Sequence, residues 1–152
     1  DKIIQLSRGV CLWWTPINTA SFFISKVCKL LYPQYEVITA TVDPSANEIG
    51  KIYQSLNWKY IGLMPGNIKN TKNLTRLSVI IDNVLYGSRQ IRSMFGTIKK
   101  DVILSKHPKA IFINSPRKRR YFYFLGDKRT QKRNTATLSK FFKPYPKTIN
   151  DL

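Results

Sequence analysis

The first 66 residues alternate between strand-like apolar runs and stretches in which apolar residues recur at helical spacing. The β-branched run EVITATV is typical of a buried strand. Thr15 and Pro16 suit the start of a helix, as a cap and a first helical residue. This order favours an α/β (α+β) fold, with a parallel or mixed central sheet flanked by helices. The predicted elements are a strand over 3–12, a helix over 15–31, a strand over 36–42, a short helix over 49–56 and a strand over 58–64.

The rest of the chain continues the pattern with more basic residues. Asp82 and Asn83 separate two apolar runs and indicate a hairpin, while Gly96 interrupts a helical stretch. We expect residues 1–66 to form one half of a domain, residues 76–147 to extend that same domain, and residues 148–152 to be a tail. The predicted elements are a loop over 67–75, hairpin strands over 77–81 and 84–86, a helix over 89–104, a basic hairpin with strands over 110–114 and 119–125, and a basic helix over 128–142.

The high net positive charge of the chain indicates what kind of partner it binds. The chain has 26 lysines and arginines against 8 acidic residues, a net charge of +18, and residues 106–147 hold 13 of the basic residues with Asp127 as their single acid. Such an excess is typical of proteins with polyanionic partners, and DNA is the leading candidate. A solvated basic tail is the alternative, but interleaved aromatic residues favour a folded surface. The predicted nucleic-acid-binding residues are Arg89, Arg92, Arg117, Lys118, Arg119, Arg120, Tyr121, Tyr123, Lys128, Arg129, Lys132, Arg133, Lys143 and Lys147.

The absence of several sequence patterns argues against some classes of protein. Cys11, Cys28 and His107 cannot form a zinc site of the usual Cys/His type, so no metal ligands are assigned and two buried free thiols are expected. No glycine-rich phosphate loop and no serine nucleophile motif occurs. No signal peptide opens the chain and no apolar run reaches membrane-spanning length. We therefore expect a cytoplasmic protein without a membrane partner.

Two groups of residues are candidates for chemistry. Arg8 ends a strand and precedes a helix start that carries Asn18 and Ser21, an arrangement suited to a pyrophosphate. Asp43 lies where a strand stops, and Tyr53 lies on the following helix, where a phenol can donate a proton. From the residues alone, ordinary helix capping and core packing are the favoured interpretations of both groups.

A resemblance adds to these observations. The segments IQLSRGVCL, INTASFFISKVCKLL, VITATVDP and GKIYQSLNWKYIGLMPG resemble the cofactor-binding half of the GNAT acyltransferase superfamily. More narrowly, they are similar to Mom-like DNA-modification proteins of bacteriophages. The later segments GSRQIRSMFGT, KRRYFYFLGDKR and PYPK fit the same family, so the likeness extends over residues 4–147.

The resemblance implies a GNAT-like sheet that splays between the strand carrying Arg8 and the strand ending at Asp43. An acyl-coenzyme A would lie in this cleft, with its pyrophosphate near Asn18, held also by Arg8 and Ser21. Tyr53 matches the tyrosine that commonly serves as general acid, and Asp43 would position or deprotonate the substrate amine. The implied reaction converts the N6 amine of adenine in DNA into a methylcarbamoyl-type adduct that protects against restriction. The resemblance also makes an iron ion a candidate cofactor.

The chain departs from the family pattern in two places. An N-terminal part with a His-Tyr element is absent, and the interval PSANEI lacks a histidine that many relatives carry. Three explanations stay open: the chain is the C-terminal portion of a longer protein, a partner supplies further segments that complete the sheet, or the module has lost catalysis. Three functions stay open: a phage-type acyltransferase-like protein acting on adenine N6 in DNA, a nucleic-acid-binding module on a catalytically inactive GNAT-like core within a larger assembly, and a GNAT N-acyltransferase acting on a protein or small-molecule amine.

Overall fold

A computed structural model describes residues 2–7, 9, 11–63 and 75–151. The chain forms two compact units, one made of residues 1–64 and 118–152 and the other of residues 65–117. Residues 118–147, which the sequence grouped with 76–117, thus belong to the unit that contains the N-terminal half. Arg8 lies outside the described residues, and so does the predicted loop at 67–75 except for its last residue.

The first unit is built on a four-stranded sheet in which β1 and β2 are parallel and the other pairs are antiparallel. The strand order is β1-β2-β7-β3. This mixed sheet with its helices confirms the predicted α/β (α+β) class. Its strands are β1 (Ile3–Leu6), β2 (Val37–Val42), β3 (Lys59–Leu63) and β7 (Arg119–Phe124), and its helices are α1 (Thr19–Leu30), α2 (Lys51–Ser55) and α5 (Lys128–Leu138).

One face of β7 supplies the centre of the core of this unit. Tyr121 is fully buried opposite Ala40 of β2 and Tyr60 of β3, because residues paired across neighbouring strands point to the same face. Trp58 and Cys28 close the same cluster. Burial of these large aromatic side chains stabilises the unit.

The second unit has a three-stranded antiparallel sheet of order β5-β4-β6. The predicted hairpin is confirmed, with Asp82 and Asn83 in the left-handed region at φ 49° and 63°, as a tight hairpin turn requires. Gly96, at φ 71°, ends the first of two helices and confirms the predicted interruption. The elements are β4 (Thr75–Ile81), β5 (Val84–Gly87), β6 (Ile111–Pro116), α3 (Ser88–Phe95) and α4 (Lys100–Lys106).

Three local predictions need correction. The basic hairpin over 110–125 is wrong, because β6 pairs with β4 while β7 inserts between β2 and β3. The two faces of β7 are rich in Tyr and Phe, so burial between two strands outweighs pairing with its sequence neighbour. Helix α1 begins at Thr19 because Asn18 adopts a left-handed conformation, φ 70°. Cys11 is exposed, so only Cys28 is a buried thiol.

No helix in the part of the chain that the structure describes is both long enough and apolar enough to cross a membrane.

Candidate active site and basic surface

Asp43 lies directly after β2 and begins a 3₁₀ turn, Pro44–Ala46. Its Oδ1 accepts hydrogen bonds from the Ser45 amide (3.1 Å) and the Ser45 hydroxyl (2.6 Å). Its Oδ2 is 3.6 Å from the ammonium of Lys118, the residue before β7. These contacts hold the carboxylate in place at the end of the strand.

Glu48 is a site residue that the sequence prediction missed. Its carboxylate accepts a 2.7 Å hydrogen bond from the Asp43 amide, which draws the segment after the turn back towards the end of β2. Its negative charge also acts on the Tyr53 phenol. A second acid five residues after the strand-ending Asp was the available signal, but nothing in the sequence indicated that the chain would turn back there.

Tyr53 packs in an aromatic cluster on α2. Its ring centroid is 5.0 Å from that of Trp58 and 5.5 Å from that of Tyr121. Burial, and then the charge of Glu48, raise the pKa of the Tyr53 hydroxyl, so it keeps its proton at neutral pH. Among the described residues, no hydrogen-bond acceptor engages this hydroxyl, which leaves its proton available for donation to a ligand.

A hydrogen-bond network holds α2 against the sheet. The Tyr121 hydroxyl donates to the Ile49 carbonyl at 2.6 Å. The Gln54 amide nitrogen lies 3.0 Å from three acceptor oxygens, those of Ile49, Tyr121 and Pro146, which share its two N–H donors. Gly50 precedes the helix at φ 81°, and a Cβ there would lie 2.5 Å from the Tyr121 ring. The glycine and the glutamine of the segment GKIYQ therefore fix where Tyr53 stands.

Arg119 is the first residue of β7 and pairs with Val42 and Leu63. It is only 8% exposed, and its Nε and Nη1 find no hydrogen-bond partner among the residues that the structure describes. Its positive charge acts on the neighbouring Tyr60 phenol. The sequence predicted Arg119 as one of many surface contacts for nucleic acid, whereas the structure buries its side chain.

A separate pocket of about 400 Å³ lies at the start of α1. Asn18 and Ser21, two of the three predicted cofactor-binding residues, line it together with Lys51 of α2. The Asn18 side chain makes no capping hydrogen bond to the helix, and the Ser21 hydroxyl donates to the Asn18 carbonyl at 2.9 Å. Lys51 was not predicted, because a lysine at a helix start gives no sequence signal for ligand binding.

Helix α2 separates this pocket from the aromatic cluster. Ile52 and Ser55 line the pocket, while Tyr53 turns towards Trp58 and Tyr121. The pocket that Asn18 and Ser21 line and the ring of the predicted acid Tyr53 thus lie on different sides of α2.

The predicted nucleic-acid-binding residues divide by burial. Tyr121 is a core residue, Tyr123 stacks on Trp58 with ring centroids 5.5 Å apart, and burial lowers the pKa of Arg120. Arg133 is exposed but engaged with Glu36. Arg117 is half-buried in the second unit. The exposed members are Arg89 and Arg92 on α3, Lys118 before β7, Lys128, Arg129, Lys132 and Arg133 on α5, and Lys143 and Lys147 after it.

Over residues 2–7, 9, 11–63 and 75–151, no group of three His, Cys, Asp or Glu side chains comes together to hold an ion.

Comparison with protein-family models matches residues 1–147 to the Mom protein family. A search of curated proteins finds no match. The family match covers both compact units, including the basic segment that follows β6.

Proposed function

The chain belongs to the Mom protein family, a family of bacteriophage DNA modification, and on this premise we propose that it is a GNAT-type, acyltransferase-like protein acting on the N6 amine of adenine in DNA. The observation that carries the proposal is the grouping at the end of β2. There Asp43 is held by Ser45 and Lys118, while Glu48 accepts a hydrogen bond from the Asp43 amide and its charge acts on the protonated Tyr53. A carboxylate can serve as the general base and a neutral phenol as the general acid in transfer to an amine.

The proposed cofactor is an acyl-coenzyme A, and the pocket at the start of α1 fits part of it. The pocket volume of about 400 Å³ is in the range of ligand sites. Backbone N–H groups at the start of a helix favour a pyrophosphate, and Lys51, Asn18 and Ser21 add polar groups. When bound, this cofactor supplies an activated carbonyl carbon and a thiolate leaving group.

Asp43 and Tyr53 would then each take part in one proton transfer. Asp43 accepts a hydrogen bond from the adenine N6 and orients its lone pair, and it takes up the proton released when the N–C bond forms. Tyr53, which keeps its proton at neutral pH, would supply one proton to the thiolate that the cofactor releases, so that the proton taken from the amine by Asp43 is matched by one given to the leaving group. Because an adenine in a duplex cannot bring N6 to these groups, the base must be unstacked or flipped.

The matched test uses the complete protein produced in cells with Tyr53→Phe, Asp43→Asn and Tyr32→Phe, the last an exposed tyrosine outside the proposed site. Mass spectrometry of nucleosides from cellular DNA should find modified adenosine with the parent protein and with Tyr32→Phe. Each site variant should lower the modified fraction by about 100-fold, in the range for loss of one acid or base. Unmodified adenosine throughout, with folded parent protein, would contradict the proposal.

One observation favours a second candidate, a nucleic-acid-binding module on an inactive core. Asp43 caps a turn and Tyr53 is packed among aromatic rings, so each has a structural role without any reaction. This candidate predicts salt-sensitive DNA binding that survives both Asp43→Asn and Tyr53→Phe, and no affinity for coenzyme A. Calorimetric titration of the parent protein with coenzyme A separates the two candidates.

A further inference from the structure

Arg119 carries a charge that the described residues of the first unit do not balance. Its guanidinium is always protonated, yet the side chain is 8% exposed, with Nε and Nη1 unpaired among the described residues. A buried charge is costly unless an opposite charge and hydrogen bonds compensate it. A bound anion would supply that compensation.

The acidic residues at this end of the sheet are engaged elsewhere. The Asp43 carboxylate is bound by Ser45 and lies 3.6 Å from Lys118. The Glu48 carboxylate accepts from the Asp43 amide. Among the described residues, no carboxylate forms an ion pair with Arg119.

The groups next to Arg119 are suited to an anion. Burial raises the pKa of the Tyr60 phenol, and the nearby Arg119 charge lowers it by a smaller amount. The phenol therefore keeps its proton and remains a hydrogen-bond donor. Strand β3 changes register between Tyr60 and Gly62, so that Leu63 instead of Gly62 stands opposite Arg119. Bulges of this kind are frequent beside binding sites because they redirect side chains.

We propose that Arg119 and Tyr60 receive one phosphate group, carried by the DNA strand or by the nucleotide part of a cofactor. Several N–H donors in a planar arrangement match phosphate oxygens, and the Tyr60 hydroxyl adds one further donor. The choice of phosphate over other oxyanions rests on the proposed function, while the presence of an anion site rests on Arg119 itself. The site is distinct from the pocket that Asn18 and Ser21 line.

The test compares the complete parent protein with Arg119→Met, Arg119→Lys and Lys109→Met. Lys109 is exposed and lies in the second unit, so its substitution matches the charge change without touching the site. Three probes are titrated separately: inorganic phosphate, adenosine 3′,5′-bisphosphate and a duplex DNA of about 20 base pairs. Thermal unfolding reports the two small anions, and fluorescence anisotropy at several salt concentrations reports the DNA.

Removal of the Arg119 charge should preserve or raise the thermal stability of the free protein and abolish its stabilisation by phosphate. Arg119→Met should unfold at the same temperature as the parent protein or at a higher one, because an uncompensated buried charge is gone. It should also lose the stabilisation by inorganic phosphate that the parent and Lys109→Met retain. Arg119→Lys keeps the charge but not the planar set of donors, and it should retain only part of that stabilisation.

The source of the phosphate follows from the other two probes. If the DNA strand carries the phosphate, Arg119→Met lowers the affinity for DNA about tenfold. The slope of log K against log[salt] falls by about 1, and binding of the bisphosphate is unchanged. If a cofactor carries the phosphate, Arg119→Met lowers the affinity for adenosine 3′,5′-bisphosphate at least tenfold. Its salt slope for DNA binding then equals that of Lys109→Met. Equal responses of the parent and Arg119→Met to all three probes would overturn the proposal, as would a destabilised Arg119→Met that still binds them. If DNA modification fails in cells but this loss of phosphate binding is observed, the anion site stands and the proposed reaction falls.

Discussion

Glu36 joins three separate segments of the first unit through one carboxylate. It accepts hydrogen bonds from Lys2 at 2.7 Å and Asn134 at 3.2 Å, and it pairs with Arg133. These partners lie just before β1 and on α5, so a single residue before β2 connects an edge of the sheet to the basic helix. The hydrogen bond from Lys2, followed by those from Asn134 and Arg133, lowers the pKa of Glu36 to about 2.

This shift gives stability a pH dependence of known sign. The folded pKa lies below the ordinary value of 4.5, so the contribution of Glu36 is complete above about pH 5 and is lost as the pH falls towards 2. We expect Glu36→Gln to be less stable than the parent protein at neutral pH, with the two curves converging as the pH falls. Urea unfolding from pH 7 to pH 2 measures this, and curves that stay parallel would contradict it.

The helix that carries Tyr53 depends on the elements around it more than on its own five residues. A helix this short is not stable by itself, so packing must hold it. Gly50 allows the Tyr121 ring to approach the backbone, and Gln54 hydrogen-bonds to β7 and to the segment after α5. The candidate acid is thus positioned by strands that lie far from it in the chain.

Two glycines of the same unit permit a matched test of that packing. Gly50 and Gly62 have similar backbone angles, φ 81° and 75°, but an added Cβ meets the buried Tyr121 ring at 2.5 Å in the first case and the flexible Lys143 side chain at 3.0 Å in the second. We expect Gly62→Ala to cost about 1 kcal/mol from the backbone angle, and Gly50→Ala about 3 kcal/mol or more, because the ring cannot move aside.

Chemical denaturation followed by tryptophan fluorescence measures both variants, since Trp58 packs in the core of this unit. Equal decreases in stability would mean that the close approach of Tyr121 to Gly50 does not determine the position of α2.

At the scale of the whole molecule, the charge of +18 is the dominant property. It is distributed over both units, but α5 places Lys128, Arg129 and Lys132 on one exposed helix. Asp127 begins this helix by accepting from the Thr130 amide at 2.7 Å, which lowers the pKa of its carboxyl. A rigid helix with exposed cations is a better surface for a phosphate backbone than a disordered tail, because less conformational entropy is lost on binding.

We expect replacement of Lys128, Arg129 and Lys132 by Gln to reduce the slope of log K against log[salt] for duplex DNA by about 2 to 3, since each phosphate that is no longer neutralised lowers the slope by about 0.9. The matched control replaces Lys99, Lys106 and Lys109, three exposed lysines of the second unit, by Gln. Anisotropy titrations at several salt concentrations measure both. An equal reduction in the control would show that net charge, and not the α5 face, governs binding.

The sequence by itself determined the α/β class, the positions of most elements, the hairpin at Asp82-Asn83, the break at Gly96 and the basic character of the C-terminal region. These features follow from local rules, since periodicity, turn residues and charge act over a few neighbouring positions. The resemblance in motif order also identified the family, which the family model supports over residues 1–147.

Only the tertiary structure decided which strands pair and which polar side chains are buried. Local pattern gave β7 two aromatic faces but could not say that it would insert between β2 and β3. That insertion buries Arg119 and Tyr121, and the turn after β2 brings Glu48 to Asp43 and Tyr53. Strand pairing depends on burial summed over distant segments, and the local pattern of a single sequence does not contain that sum.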